Sequence, residues 1–239
     1  MHAPSPQIIP ADMLLLAYRS GIFPMADSRD DPEVFWVEPR QRAIIPLERF
    51  HCSRSLAKLL RQDRFEITCN QAFAEVMEAC AAPRPGHPES WISERIAASY
   101  RALHLAGHAH SIECWQVDEG RRRILAGGLY GVCFDRVFCG ESMFSRARNA
   151  SKVALAWLTV LMRRGGFELL DCQFLTEHLA SLGAIEIEQQ QYLRLLGQAS
   201  APERPAADLP AAYSALLAEA AEAASSPGKL IAQSLTQTS

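Results

Sequence analysis

Several things are missing from this sequence, and each absence narrows what the chain can be. No run approaches 18 consecutive apolar residues, and the start shows no basic stretch leading into an apolar core. A bilayer-spanning helix needs about 20 apolar residues and a secretory leader needs that start. The reading is therefore a soluble, cytoplasmic chain with no membrane partner. Seven cysteines are present, at 52, 69, 80, 114, 133, 139 and 172, yet no two stand in C-x-x-C spacing. That argues against structural zinc, and an odd number in apolar contexts argues against a disulfide framework. Buried reduced thiols are expected instead. A strong charge of one sign is also lacking. A formal net charge of −3 argues against a chain that coats nucleic acid with its whole surface, but it leaves room for a local basic patch.

What is present is globular. Hydrophobic residues at 49% against 21% charged, over 239 positions, allow one large domain or a main domain with a small accessory one. Residues 40–64 carry seven basic side chains (40, 42, 49, 54, 58, 61, 64) against two acidic ones (48, 63). This local excess is either a solvated helix face or an anion footprint. Helical spacing predicts helices over 10–20, 53–61, 72–80, 93–106, 150–164 and 176–182. Alternating or apolar runs predict strands at 34–37, 42–47, 65–69, 111–117, 124–134, 137–139 and 167–173, and breakers fill 82–90. The tail from 199 onward is Ala-, Pro- and Ser-rich and is expected to be weakly ordered. The order is strand, helices, three-strand meander, helix, strand. It makes a mixed α/β (α+β) sheet of acetyltransferase-like (GNAT-like) architecture, with a small N-terminal domain (1–51), a catalytic domain (52–198) and the tail (199–239).

Two stretches invite chemistry. Residues 138–152 turn through Gly140 and set Glu141 beside Met143 and Phe144, ahead of Arg146 and Lys152. A carboxylate among large apolar side chains is unfavourable without a partner or a task. Downstream, Asp171 and Gln173 close an apolar strand. Residues i and i+2 on a strand share a face, so both could address one bound group. Cys172, between them, should then point into the core. That disfavours a thiol hydrolase built on Cys172 and His178.

The chain resembles the leucyl/phenylalanyl-tRNA–protein transferases. The resemblance is carried by Tyr18-Arg-Ser-Gly-Ile-Phe-Pro24, Phe35-Trp36 with Glu38-Pro-Arg40, and His51-Cys-Ser-Arg-Ser-Leu56. It continues through Trp91-Ile92, Gly127-Gly-Leu-Tyr-Gly-Val132, Phe138-Cys-Gly-Glu-Ser-Met-Phe-Ser-Arg146, Asp171-Cys-Gln173 and His178-Leu-Ala-Ser-Leu-Gly-Ala184. These run in order over residues 18 to 187. The resemblance implies transfer of Leu or Phe, and Met less well, from aminoacyl-tRNA to the N-terminal Arg or Lys of a protein. That product is marked for degradation by the bacterial N-end rule. A monomer is expected, and no metal or cofactor is implied.

It also implies roles. Asp171 and Gln173 match the catalytic pair. Glu141 matches a place in the aminoacyl pocket; by its residues alone it could instead hold the acceptor's cationic end, or sit in a salt bridge with Arg146 or Lys152. Leu129, Met143, Leu155 and Leu170 match pocket-lining positions. Trp36 and Trp91 match platforms for the tRNA 3′-adenosine. The basic segment, with Arg40, Arg42, Arg54, Lys58 and Arg61, becomes a phosphate footprint. Met25, Phe35 and Leu158 depart from the family pattern. Two rival readings fit less well. An acyl-CoA-dependent N-acetyltransferase of the same fold would not place an acid before the helix at 150, where pyrophosphate would sit. A non-catalytic tRNA-binding module would not need Glu141, Asp171 and Gln173.

Overall fold

The computed structural model describes residues 8–83, 89–118 and 120–237. The breaker-rich loop expected at 82–90 lies largely outside them. In chain order the elements are α1 (Ala11–Arg19), β1 (Phe23–Met25), β2 (Phe35–Val37), β3 (Gln41–Ile45), α2 (Arg54–Arg61), β4 (Glu66–Cys69), α3 (Phe73–Ala81) and α4 (Glu94–Leu105). Then come β5 (Ala109–Val117), β6 (Arg123–Phe134), β7 (Val137–Ser145), α5 (Ala150–Arg164), β8 (Leu169–Gln173), α6 (Glu177–Ala180), β9 (Ile185–Glu188), α7 (Gln189–Ala199), α8 (Leu209–Glu222) and α9 (Pro227–Thr236).

Seven strands form one sheet in the order β4-β5-β6-β7-β8-β3-β9. Neighbours are antiparallel except β7 and β8, which are parallel and joined through α5. Such a pair needs a crossover, and a helix is the usual one. The helix α5 is apolar all round, with Ala150, Ser151 and every residue from Val153 to Met162 buried. Its surroundings explain this: the sheet lies on one side and α2, α8 and α9 on others. One core cluster fills the α5 face, and a second fills the opposite face under α1, α3, α4 and α7. No helix among the described residues is long and apolar enough to cross a membrane.

Three expectations need correction. First, β7 does not turn at Gly140 but continues to Ser145, so Glu141 stands on a strand. A register shift against β6 between Tyr130 and Gly131 absorbs the irregularity, and a Cβ on Gly131 would collide with the Cys139 carbonyl and the Phe138 ring. Second, β3 lies between β8 and β9 inside the main sheet. The N-terminal region to residue 51 therefore supplies a strand to the larger unit. Third, the tail is not loosely attached. Asp208 caps α8 by accepting from the Ala211 N–H at 2.8 Å. Leu209, Leu216, Ile231 and Leu235 are buried in the α5-side core. Low sequence variety masked an apolar stripe that α5 needs as cover.

Candidate active site

Where β7 and β8 run side by side, a cavity of about 780 Å³ opens between their ends, α5 and α6. That is ample for a small ligand. One wall is apolar: Leu129, Met143, Leu155, Leu158 and Leu170 all line it. Every pocket position expected from the sequence is thus brought to one place. Glu141, Gln173 and Trp91 line the same cavity.

The Glu141 carboxyl is buried, at 7% exposure, and receives only neutral donors. Tyr18 Oη donates to its Oε1 at 2.7 Å, Tyr100 Oη to its Oε2 at 3.0 Å, and Gln173 Nε2 to Oε1 at 3.0 Å. The two tyrosine oxygens also touch, but with one hydrogen each they cannot bond one another while both donate to Glu141. Among the described residues no cation pairs with Glu141, and the alternative of a bridge to Arg146 or Lys152 does not form. Burial pushes its pKa up to about 7, and the bonds from Tyr18, Tyr100 and Gln173 pull the other way. Burial, and then the Glu141 charge, hold the Tyr130 hydroxyl well above its ordinary value.

Asp171 sits one strand away and is treated differently. It has no exposure, and its oxygens accept Arg42 Nε at 2.9 Å and Arg42 Nη2 at 2.5 Å. Tyr192 Oη at 3.1 Å and the Gln173 N–H at 2.9 Å complete the set. Arg42 is flanked by the rings of Phe23 and Tyr192, at 4.7 and 4.5 Å to their centroids. Burial alone would lower the Arg42 pKa, but the charge and hydrogen bonds of Asp171 hold it above the ordinary arginine value.

These contacts correct three expectations. Arg42, 1% exposed and committed to Asp171, cannot belong to a phosphate footprint. Asp171 and Gln173 do not present one shared face. Gln173 adopts φ 62°, which ends the alternation, so its carboxamide reaches Glu141 on β7 while Asp171 faces β3. Only Gln173 of the two lines the cavity. Cys172, expected in the core, lines it as well, beside His178. Burial and then Asp171 push the Cys172 thiol far up, burial and then Lys152 push His178 down, and no hydrogen bond joins them. A thiolate nucleophile is disfavoured by this setting.

The remaining predicted residues are on the surface. Trp36 stands on β2, 42% exposed, and is not part of the cavity wall. Arg40, Arg54, Lys58 and Arg61 are exposed and pair with no acid among the described residues. Sequence reasoning missed the roles of Tyr18, Tyr100 and Tyr192. Tyr18 lay inside a matched stretch, but the carboxylate it serves is 123 positions away, so no local pattern signalled the pairing.

The arrangement offers a deep apolar slot, a carboxamide, and a carboxyl that titrates near neutrality. Comparison with known proteins gives consistent matches to one family. The family model described as leucyl/phenylalanyl-tRNA protein transferase matches residues 44–197, and the model of that family's N-terminal domain matches residues 9–40. A leucyl/phenylalanyl-tRNA–protein transferase of Novosphingobium aromaticivorans is 59% identical, with 98% of each chain covered. That of Rhizorhabdus wittichii is 58% identical over 79% of this chain and 74% of its own. Among solved structures, the crystal structure of FemX matches with a TM-score of 0.50 at 13% identity, over 77% of this chain and 70% of that one. It supports the GNAT-like fold alone.

Proposed function

The chain belongs to the leucyl/phenylalanyl-tRNA–protein transferase family and is a transferase of aminoacyl groups from tRNA to protein; from that premise we propose the following substrates and roles. The donor carries Leu or Phe, and Met less well, and the acceptor is the N-terminal Arg or Lys of a protein in the cytoplasm. The product enters N-end rule degradation, and the enzyme acts as a monomer. The observation that carries the donor assignment is the slot of Leu129, Met143, Leu155, Leu158 and Leu170. It suits the apolar side chains of Leu, Phe and Met and disfavours charge. It separates apolar donors only modestly, because a methylene is worth about 1–3 kcal/mol.

Trp91 at the cavity and Trp36 outside it stack the 3′-terminal adenosine. Arg40, Arg54, Lys58 and Arg61 hold acceptor-stem phosphates. Peptide-bond formation starts from an ester that is already activated, so positioning and proton handling are the protein's tasks. The acceptor α-amine, with an ordinary pKa of about 7.7–8.0, donates to Gln173 Oε1, the acceptor of the carboxamide whose Nε2 donates to Glu141. Its nitrogen lone pair attacks the ester carbonyl and the C–N bond forms. The ester C–O bond then breaks, and the ribose oxygen leaves with a proton equivalent to the one the nitrogen loses. Glu141, titrating near 7, is suited to hold that proton: Gln173 accepts it at Oε1 and releases an Nε2 hydrogen to Glu141, and the reverse transfer restores the carboxamide as the ribose oxygen is protonated. Asp171 does not touch substrate. It is a positioning residue that fixes Gln173 by accepting its backbone N–H.

The test is ribosome-free transfer. Purified protein mixed with leucyl-tRNA and a peptide beginning with Arg should give a peptide one leucine longer by mass. A peptide beginning with Asp should stay unchanged. No extension of the Arg peptide would sink the reading.

A further inference from the structure

Helix α2 is short and depends on its neighbours. At eight residues it is below the length at which an isolated helix is stable. Arg54, Lys58 and Arg61 stand at i, i+4 and i+7, one stripe of the helix, and are exposed. Leu56, Ala57 and Leu60 bury the opposite side. Contacts from the far end of the chain help to fix its C-terminal end. Helix α9 packs along α2 and α5. The Gly228 N–H donates at 2.9 Å to Oδ1 of Asp63, the residue that ends the α2 turn at φ 44°. No Cβ fits at Gly228, because it would strike the Leu60 carbonyl and Asp63 Oδ1.

The pair α8–α9 is itself anchored. Tyr213 Oη donates to the Ile67 carbonyl at 2.9 Å, and Arg163 Nη1 to the Ser234 carbonyl at 3.2 Å. Ile231, Ala232 and Leu235 are buried. Both acids of the basic segment are engaged, one of them by α9. Asp63 is tied to Gly228, and Glu48 lies 3.7 Å from Arg163 Nε. Both helices lie beyond residue 197, where the family model stops.

We propose that the C-terminal helical pair is part of the tRNA-binding apparatus, with α9 seating α2 so that Arg54, Lys58 and Arg61 meet the acceptor stem as one row. This rests on α2 being the phosphate footprint. Gly228 and Asp63 are positioning residues here; neither contacts substrate.

The experiment uses the full chain and two donors, leucyl-tRNA and a leucylated CCA trinucleotide, which lacks the acceptor stem. Gly228→Val should raise the leucyl-tRNA Kd about five- to ten-fold and lower its salt slope by about 1. Turnover on the trinucleotide should stay at the parent level. Asp63 gives the sharper comparison and decides the matter if Gly228→Val does not fold. Removing an acid beside a phosphate site should, by charge alone, tighten binding. Asp63→Ala, which also loses the contact to Gly228, should instead weaken leucyl-tRNA binding several-fold. Asp63→Asn, which keeps the acceptor oxygen, should not weaken it. Asp63→Ala binding as tightly as the parent, or losing both donors equally, overturns the proposal. The parallel variant Arg54→Ala with Lys58→Ala isolates the underlying reading. If its salt slope is unchanged, α2 is not the footprint and the proposal falls with it. If that slope drops while Gly228→Val and Asp63→Ala bind normally, the footprint stands and the seating role alone is refuted.

Discussion

Glu141 and Asp171 are two buried carboxylates on adjacent strands, β7 and β8, and they are solved in opposite ways. Asp171 has a guanidinium in bidentate contact, a hydroxyl and a backbone N–H. Every lone pair is directed and the charge is matched, as a buried ion requires. Glu141 has three neutral donors and no cation. Hydrogen bonds without a counter-charge leave its two protonation states close in energy near neutral pH. The first arrangement makes a rigid post, and the second makes a group that can exchange a proton. Gln173 is the link between them: its backbone is held by Asp171 and its side chain by Glu141.

The largest effect should come from breaking the charged pair. Arg42→Met strands Asp171 without a counter-ion, so unfolding free energy should fall by about 3–5 kcal/mol, seen as a lower urea midpoint. Adding Asp171→Leu should recover much of that loss, because two apolar side chains need no partner. If the double variant is no better than the single one, the pair is not the source of the loss.

Next is the pH response of Glu141. Its pKa in the folded state, about 7, lies above the ordinary 4.5. The folded state thus holds the proton that the unfolded chain has released. The resulting stability is complete below about pH 4.5 and is lost as pH rises through about 7. Glu141→Gln stays neutral throughout. Relative to the parent its stability should rise by about 3 kcal/mol between those limits, measured by urea unfolding at a series of pH values. Parallel curves would show that Glu141 titrates normally.

Gln173→Ala should lower turnover about 100-fold and move stability by only about 1 kcal/mol. Single-turnover rates with saturating leucyl-tRNA separate this from weaker binding; an effect confined to KM would reduce Gln173 to a binding contact. The smallest change is Tyr18→Phe. It removes one donor to Glu141 at about 1 kcal/mol and should push the Glu141 titration further upward. A downward move would mean that the tyrosines do not stabilise the charged form.

How much of this was readable beforehand depends on distance along the chain. The apolar wall came from the family resemblance, which rests on short contiguous stretches and matched Leu129, Met143, Leu155 and Leu170 to pocket-lining positions, and the cavity collects all of them. The mixed sheet, the meander and α5 followed from alternation and helical spacing. Arg42 was misread because it sits in a basic segment, where charge counting cannot tell an exposed cation from a buried one. Its true partner is 129 positions away. The pair forms only because β3 is placed beside β8 in the sheet, and strand order is not a local property. The φ of 62° at Gln173, which separates it from Asp171, is likewise a product of packing.

By itself the sequence determined most segments between residues 10 and 182, the family and the presence of two unusual carboxyls. The tertiary structure alone decided which carboxyl received a cation and which received only neutral donors. The reason is physical: periodicity is set by bonds a few residues apart, whereas the state of a buried charge is set by whatever the fold brings within about 4 Å of it.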